Sequence, residues 1–351
     1  MLNSYLSKLY LRYILIIFTA LQLFYVGIDF IGSSGKLPDS ANLQLLYVMY
    51  MFGTAMKINL ALSLVFAMVA AKIHLIRANE LVIIYALGVS KKEVIRPFIW
   101  IASLISLVYV AAQATPFAYF DQKALSIKQD RYFVTVTNDV FVKYDNNYIY
   151  MQRLFPLQKS AVGLRIFEVD SEGLKRVITS ESAFFTNNRW RLYEGEITTK
   201  PKVSGMQSEG LTKTRFETYD MLEGFEPNIL DKVYEGKTSY SLLDGLDAIL
   251  ILKKQEVNID RIMSAMVTAI TIPFFAPLLV VIIFFFVPIS SRFFNVALFS
   301  SGAIFTTLVL WGFLFAMATL AQNGTVNVWF SVVTPFLLLV SIAAFLYRKF
   351  S

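Results

Sequence analysis

The chain has 351 residues, of which 56% are hydrophobic and 15% aromatic, and its mean hydropathy is +0.57. These values are typical of integral membrane proteins and not of soluble enzymes. The absence of Cys and the single His, His74, exclude thiol catalysis, disulfides, Cys/His zinc sites and histidine-based triads. The formal net charge is +7, but Lys and Arg gather at the ends of apolar runs, so membrane topology explains them better than nucleic acid does.

Six apolar runs are long enough to cross a bilayer, which takes roughly 20 helical residues. They cover residues 10–31, 43–71, 98–119, 262–288, 293–321 and 328–347. The first run is too long for a signal peptide and lacks a small-residue cleavage site, so it is predicted to be a span. The sequence therefore predicts an α-helical membrane protein with three spans on either side of a long insert.

The charges of the short loops predict the orientation of these spans. One side of the membrane receives Lys8, Arg12, Lys72, Arg77, Lys91, Lys92, Arg96, Arg292, Arg348 and Lys349. The short loops on the opposite side, residues 32–42 and 322–327, carry Lys36 alone. Because basic loops stay in the cytoplasm, both termini are predicted to be cytoplasmic and the long insert to lie outside it.

The loop between the second and third runs predicts a short helix of its own, from Asn79 to about Gly88. Asn79 is a good N-cap residue, Glu80 places a carboxylate in the first turn, and Gly88 suits the end of a helix. Ser90 and Glu93 then spell a capping box that opens the third span. The short helix is apolar on nearly every face, which favours contact with a docked partner; an ordinary cytoplasmic turn is the simpler alternative.

The insert of about 140 residues changes to β-prone runs separated by polar turns. The predicted strands lie at residues 132–136, 140–144, 148–151, 163–169, 174–184, 190–199 and 211–218. Strands in this number without helical periodicity predict an all-β sandwich or jelly-roll-like domain. Helical periodicity returns at 241–255, which predicts a lateral helix before the fourth span. The predicted divisions are therefore 1–121 with the first three spans, 122–240 with the β domain, and 241–351 with the lateral helix and the last three spans.

A lysine and two prolines interrupt the apolar runs. Lys57 lies in the second run, where an ammonium group is costly unless it faces a polar cavity or an anionic partner, or reaches the outer interface. Asp29, near the outer end of the first run, is a candidate partner for Lys57 or a headgroup-facing residue. Pro273 and Pro277 predict kinks in the fourth span, with neighbouring helices satisfying the freed carbonyls.

A phosphate-binding loop is suggested only superficially by residues 32–37. No Ser or Thr follows Lys36, no strand precedes the segment, and the predicted topology turns it away from cytoplasmic ATP. The chain is therefore predicted to hold no nucleotide site of its own and no bound cofactor.

The chain resembles the LptF/LptG family, the permease subunits of the lipopolysaccharide export ABC transporter. The resemblance rests on the order of three spans, a β-rich insert and three further spans, together with the stretch at 79–90. The resemblance covers essentially the whole chain. Its most family-like segments are Asn-Glu-Leu-Val through Gly-Val-Ser at 79–90, and residues 143–153 and 190–192. The last two segments resemble LptG more than LptF.

The resemblance implies that the short helix is the coupling helix that docks into a cytoplasmic ATPase, LptB. The residues it assigns to this contact are Glu80, Leu81, Tyr85, Ala86 and Gly88. It also implies a second, LptF-like permease subunit, and an apolar cleft between the two that takes lipopolysaccharide from the outer leaflet of the inner membrane. The β domain would pass the lipid to an LptC/LptA-like periplasmic bridge, and ATP and Mg would be used by the partner ATPase and not by this chain.

The sequence departs from the family in two places that concern the anionic headgroup. LptG members often carry paired lysines just outside the first span, where this chain reads Phe-Ile-Gly-Ser-Ser at 30–34. A basic residue expected before the first proline of the fourth span is Ala269 here. Lys36 and Lys57 are therefore the residues predicted to bind the phosphates of the lipid headgroup.

Other classes of function remain as alternatives. A membrane-anchored envelope scaffold would use the β domain only to bind a partner protein. An ion-coupled transporter would need acidic residues deep in the spans, where the sequence offers only the peripheral Asp29. An enzyme would need a catalytic constellation, and the sequence has no Cys, a single His and no carboxylate pair within the spans.

Overall fold

The computed structural model describes residues 1–129, 137–144, 146–155, 158–170, 173–201, 203–204, 207–208, 210–225, 241–253, 259–286 and 295–349. The chain divides into two compact units. The helical unit comprises Met1–Asp130, Ser239–Leu243 and Asp260–Ser351, and the β unit comprises Arg131–Thr238 and Asp244–Ile259. The domain boundaries predicted from the sequence, between residues 121 and 122 and between 240 and 241, stay predictions.

The helices follow the apolar runs of the sequence. They are α1 (Leu2–Ser33), α2 (Ala41–Arg77), α3 (Glu80–Ala86), α4 (Lys91–Ala112), α5 (Phe120–Lys128), α6 (Leu242–Lys253), α7 (Asp260–Phe286), α8 (Val296–Gln322) and α9 (Thr334–Lys349). A π-helical turn, Trp329–Val333, leads into α9. In the described part of the chain, six helical segments are long and apolar enough to cross a membrane, namely α1, α2, α4, α7, α8, and α9 together with the π-helical turn before it. The six predicted spans are thus confirmed.

The ends of the helices follow local signals that hydropathy does not contain. The third predicted span ran to residue 119, but α4 ends at Ala112 and a separate single turn, Pro116–Tyr119, follows. Pro116 opens that turn because it has no amide hydrogen to give, and the Thr115 hydroxyl accepts the Phe117 N–H. Residues 287–294, which contain parts of two predicted spans, lie outside the described residues.

The core of the helical unit forms around α2, the most buried of the spans. An amide pair joins α2 to α1: Asn59 Nδ2 donates to Gln22 Oε1 at 3.1 Å, and Gln22 Nε2 donates to the Phe52 carbonyl at 3.2 Å. Both amides are buried. Because the membrane offers them no water, each must find its partners within the protein, which fixes the register of α1 on α2.

The β unit contains one six-stranded antiparallel sheet and a two-stranded ribbon among its described residues. The strands are β1 (Thr137–Tyr144), β2 (Asn147–Phe155), β3 (Ser160–Asp170), β4 (Gly173–Thr186), β5 (Arg189–Thr199), β6 (Val203–Ser204), β7 (Gln207–Ser208) and β8 (Thr212–Met221). The order in the sheet is β1-β2-β3-β4-β5-β8, so neighbours in sequence are neighbours in space, and β6 and β7 pair within the β5–β8 connection. The predicted β insert between the third and fourth spans is confirmed; its strand at 132–136 lies outside the described residues.

The core of the β unit centres on Trp190 of β5. Its ring is fully buried, and its Nε1 donates to the Phe225 carbonyl at 2.6 Å. Gly195, farther along β5, allows a close approach between strands, because a Cβ there would lie 2.3 Å from the Thr179 carbonyl oxygen. The β-prone pattern of the sequence thus forms a packed unit with its own apolar core.

Candidate functional site

The short helix α3 begins and ends with two residues of positive φ. Asn79 precedes it with φ +58° and Gly88 follows it with φ +83°. Asn79 occupies the N-cap position, as predicted, but its side chain makes no cap hydrogen bond. The physical reason is conformational: capping by the side chain requires an extended backbone, whereas Asn79 is left-handed, a conformation that Asn tolerates.

The C-terminal end of α3 agrees with the sequence prediction. The Gly88 N–H donates to the Tyr85 carbonyl at 3.0 Å, and the next N–H, that of Val89, donates to the Ile84 carbonyl at 3.4 Å. Glycine adopts the required positive φ without a steric penalty. Both halves of the capping box follow, with the Glu93 N–H 3.3 Å from Ser90 Oγ and the Ser90 N–H 3.1 Å from Glu93 Oε2. The chain therefore turns sharply from α3 into α4.

The helix α3 has a buried face and an exposed face, although its sequence is apolar on both. Leu81 and Ile84 are buried in the core of the helical unit. Val82, Ile83 and Leu87 are 40%, 57% and 76% exposed. We call Val82, Ile83, Ala86 and Leu87 the exposed face of α3; all four are exposed and apolar.

Polar groups near α3 come from α1 and from the helix itself. The Tyr5 hydroxyl of α1 donates to Glu80 Oε2 at 2.6 Å. Glu80 lies in the first turn of α3, where the positive end of the helix dipole favours its charge. Burial raises the pKa of Tyr85 to about 12, so its hydroxyl is neutral at physiological pH. The single carboxylate of α3 is thus held at one end of an apolar surface.

The two lysines predicted to bind a headgroup lie apart from α3. Lys36 is exposed at the end of a single helical turn, Ser34–Lys36, that follows α1. Lys57 of α2 forms an ion pair with Asp121 of α5, with 3.1 Å between Nζ and Oδ2 and side chains that are 41% and 26% exposed. Asp29, considered as a partner of Lys57, instead accepts a hydrogen bond from the Tyr47 hydroxyl.

Two further lysines of α5 lie beside α1 and α2. Lys128 Nζ donates to Ser33 Oγ at 2.7 Å, and Lys123 Nζ lies 5.5 Å from the ring centroid of Tyr50. Sequence analysis did not select these lysines because nothing in the sequence signals that α5 packs on α2. The structure thus adds two cations of α5 that contact α1 and α2.

The family of the chain follows from a comparison with protein-family models. A model described as "Lipopolysaccharide export system permease LptF/LptG" matches residues 4–349, nearly the whole chain. The chain belongs to the LptF/LptG family. No curated protein matches it. Because one model covers both LptF and LptG, the closer resemblance to LptG stays a prediction.

Membership in the LptF/LptG family makes this chain a permease subunit for lipopolysaccharide export and, with its six apolar helices, a multi-pass protein of the inner membrane. In this permease the predicted coupling residues lie together on α3 and at its end. Their surroundings differ: Leu81 is buried, Tyr85 is half-buried, and Ala86 and Gly88 are exposed. Leu81 is therefore placed to anchor α3 in the core of the permease.

The exposed positions Val82, Ile83 and Leu87 were not selected from the sequence. A helix of seven residues with an apolar side chain at almost every position has no periodicity that would distinguish its two faces. The spacing of Leu81 and Ile84, three residues apart, fits a buried face only once the direction of the core is known. Packing of α3 against the permease decides which residues remain outside.

Proposed function

We propose that this permease subunit takes lipopolysaccharide from the outer leaflet of the inner membrane and passes it to a periplasmic bridge, driven by a separate cytoplasmic ATPase that docks on α3. The observation that carries the proposal is the exposed face of α3. Burying an apolar side chain of this size is worth about 1.5–3 kcal/mol, so an aqueous surface with Ile83 and Leu87 exposed favours a covering partner.

The geometry of α3 suits the transfer of force as well as binding. Leu81 and Ile84 fix one side of the helix to the core, while Ile83 and Leu87 present the other side. Glu80 adds a carboxylate at the edge of the apolar surface, where it would meet a basic residue of the ATPase. A push on the exposed face would therefore reach the spans through the buried face.

The energetics of lipid extraction support a separate motor. Moving an acyl CH₂ from the bilayer to an equally apolar cleft changes the free energy little. The stabilisation of about 0.8 kcal/mol that the CH₂ has in the bilayer is lost, and the cleft restores the same amount. The work must come from outside the lipid-binding subunit. We propose that ATP and Mg are used by an LptB-like partner, that an LptF-like subunit completes the cleft, and that an LptC/LptA-like bridge accepts the lipid; this chain itself is not the enzyme and holds no cofactor.

For the anionic headgroup we propose Lys57, with Lys36 as a second cation. The ion pair of Lys57 with Asp121 is half-exposed, and pairs of this kind contribute about 0–1 kcal/mol. A lipid phosphate, which accepts stronger charge-assisted hydrogen bonds, would displace the Asp121 carboxylate. Asp121 would then hold Lys57 in place whenever the lipid is absent.

The proposed orientation places both termini and α3 in the cytoplasm and the β unit in the periplasm. Its support is the asymmetry of the short loops and span ends, in which Lys36 alone stands against nine basic residues on the other side; Lys72 is left out because it is buried inside α2.

The experiment that tests docking on α3 is reversal of the Glu80 charge. The Glu80→Lys variant is expected to insert normally but to lose co-purification of the ATPase and lipid-stimulated ATP hydrolysis in nanodiscs. Lys8→Glu, a charge reversal at an exposed residue of α1, is the matched control and should retain both. Normal binding and hydrolysis in Glu80→Lys would remove α3 from its proposed role.

A further inference from the structure

A buried lysine joins the end of α2 to the end of α7. Lys72 was assigned from the sequence to a cytoplasmic loop, but it lies inside α2 and is 2% exposed. Its Nζ donates to the backbone carbonyl of Phe284 and lies 4.0 Å from the centroid of the Phe284 ring. One ammonium group thus contacts both the main chain and the side chain of a single residue of α7.

The position of Phe284 explains why a cation is stabilised there. In a regular helix the Phe284 carbonyl, in the last described turn of α7, would pair with the amide of residue 288. Residue 288 is a proline and has no N–H to offer. The Phe284 ring adds a cation–π contact to the same ammonium group.

Both helices that flank α3 converge on Phe284. Lys72 of α2 lies five residues before the end of that helix, and α3 begins three residues after that end. On the other side of α3, the Phe98 ring of α4 lies 6.1 Å from the Phe284 ring, between centroids, and 4.9 Å from the Tyr10 ring of α1. A displacement of α3 therefore has two short routes to the same residue of α7.

The two prolines of α7 give this convergence a mechanical consequence. Pro273 and Pro277 each remove a backbone hydrogen bond, about three and about two turns before Phe284. Helices bend most readily at such positions. The segment of α7 after the prolines is therefore the part best able to follow Lys72.

We propose that Lys72 is a positioning residue that transmits the displacement of α3 to the cytoplasmic end of α7 during lipid transport. The inference rests on the proposed function, in which the ATPase docks on α3. The charge of Lys72 is essential to it, because an uncharged side chain would leave the Phe284 carbonyl without this donor in a water-free core. Lys72 touches neither ATP nor lipid in this role.

The test compares Lys72→Met, which keeps the length of the side chain and removes its charge, with Lys72→Arg, which keeps the charge. Each is reconstituted in liposomes as the complete complex, and both ATP hydrolysed and lipopolysaccharide released are measured. Lys72→Met should still bind the ATPase but release less lipid per ATP, by about fivefold or more, the lower end of coupling between protein sites. Lys72→Arg, and Lys8→Met as an exposed-lysine control, should keep the wild-type ratio.

A second measurement follows α7 directly. The chain has no cysteine, so Phe286→Cys creates a unique labelling site at an exposed position of α7. Its rate of reaction with a maleimide should differ between nucleotide-free and ATP-bound complexes, and this difference should vanish when Lys72→Met is added. Phe284→Leu, which removes the ring but keeps the carbonyl, should lower the lipid-to-ATP ratio in the same direction and serves as the test if Lys72→Met does not fold.

Two results would overturn the role of Lys72. The first is a wild-type lipid-to-ATP ratio in Lys72→Met, or in Phe284→Leu when Lys72→Met does not fold. The second is a labelling rate at position 286 that does not depend on nucleotide when Lys72 is unaltered. The failure of the proposed function has a different signature, because Glu80→Lys would then keep its ATPase. Loss of the ATPase in Glu80→Lys with normal coupling in Lys72→Met would exclude the Lys72 role alone.

Discussion

The Ser106 hydroxyl of α4 donates a hydrogen bond to the Pro273 carbonyl of α7, over 2.9 Å. In a regular helix that carbonyl would accept the amide hydrogen of residue 277, but residue 277 is also a proline and has none. Ser106 is buried, so no water is available to replace it. A side chain of a neighbouring span thus satisfies the carbonyl that Pro277 leaves free, as expected for prolines within membranes.

The first prediction concerns this bond. Ser106→Ala should lower the free energy of unfolding by about 1 kcal/mol, the usual size of an interhelical hydrogen bond in membrane proteins. The same substitution should cost less in a Pro277→Ala background, because the restored amide hydrogen can then reach the carbonyl. Denaturation in detergent micelles measures both, with Ser300→Ala as a control at an exposed hydroxyl of α8. Equal costs in the two backgrounds would contradict the assigned partnership.

The second prediction separates the two faces of α3. Leu87→Ser should weaken binding of the ATPase by roughly tenfold, the effect of truncating one of the few residues that carry most of an interface's binding energy, and should leave the melting temperature unchanged because Leu87 is exposed. Leu81→Ser should instead lower the melting temperature, since Leu81 is fully buried. Titration of the ATPase against each variant in nanodiscs checks this, and an unaltered affinity of Leu87→Ser would mean that the partner covers a different surface.

The third prediction tests Lys57 as the headgroup cation. Lys57→Glu should sharply reduce photocrosslinking to lipopolysaccharide, and Lys57→Arg should retain it, because a phosphate requires the positive charge. Asp121→Asn, which weakens the competing ion pair, should increase crosslinking. If Lys57→Leu still crosslinks and exports normally, Lys57 only forms its pair with Asp121 and the headgroup cation lies elsewhere, with Lys123 and Lys128 as the next residues to change.

The fourth prediction concerns acid stability of the β unit. Burial raises the pKa of the Glu168 carboxyl, but hydrogen bonds from Arg176 and Lys175 outweigh burial and hold the pKa below its ordinary value. Since the pKa is lower in the folded than in the unfolded chain, the stabilisation is full above the ordinary glutamate pKa and is lost as the pH falls through the lowered value. Glu168→Gln should therefore flatten the acid branch of stability against pH.

The reporter for that measurement is Trp190, whose ring is buried in the β unit. Replacing the other three tryptophans, Trp100, Trp311 and Trp329, with Phe leaves its fluorescence alone in the full-length chain. Identical pH dependence in the parent and Glu168→Gln proteins would show that the ion pair with Arg176 contributes nothing to folding.

The fifth prediction is the orientation in the membrane. A cysteine introduced at Asn146, an exposed residue between β1 and β2, should react with an impermeant maleimide in intact spheroplasts. A cysteine at Lys91, where α4 begins, should react only after the membrane is opened. Since the native chain has no cysteine, each label is unique. The reverse pattern would overturn the orientation inferred from the basic loops.

The sequence by itself determined the features that depend on local composition. Hydropathy located the six spans, because a helix that crosses a bilayer needs a long apolar run wherever it packs. Gly88, and Ser90 with Glu93, marked the ends of helices because caps form between residues that are close in sequence. The β insert was equally visible from short β-prone runs and their turns.

The tertiary structure alone decided which distant residues meet. Lys57 and Asp121 are 64 positions apart, and Lys72 and Phe284 are 212 positions apart, so no periodic pattern connects them. Hydropathy and charge counting treated Lys72 as one more cytoplasmic cation, whereas packing of α2 against α7 buries it. The same holds for α3, whose sequence is apolar throughout. Its buried and exposed faces are distinguished only by the packing of Leu81 and Ile84 against the core. Local signals specify each element, but contacts between elements depend on how whole helices pack.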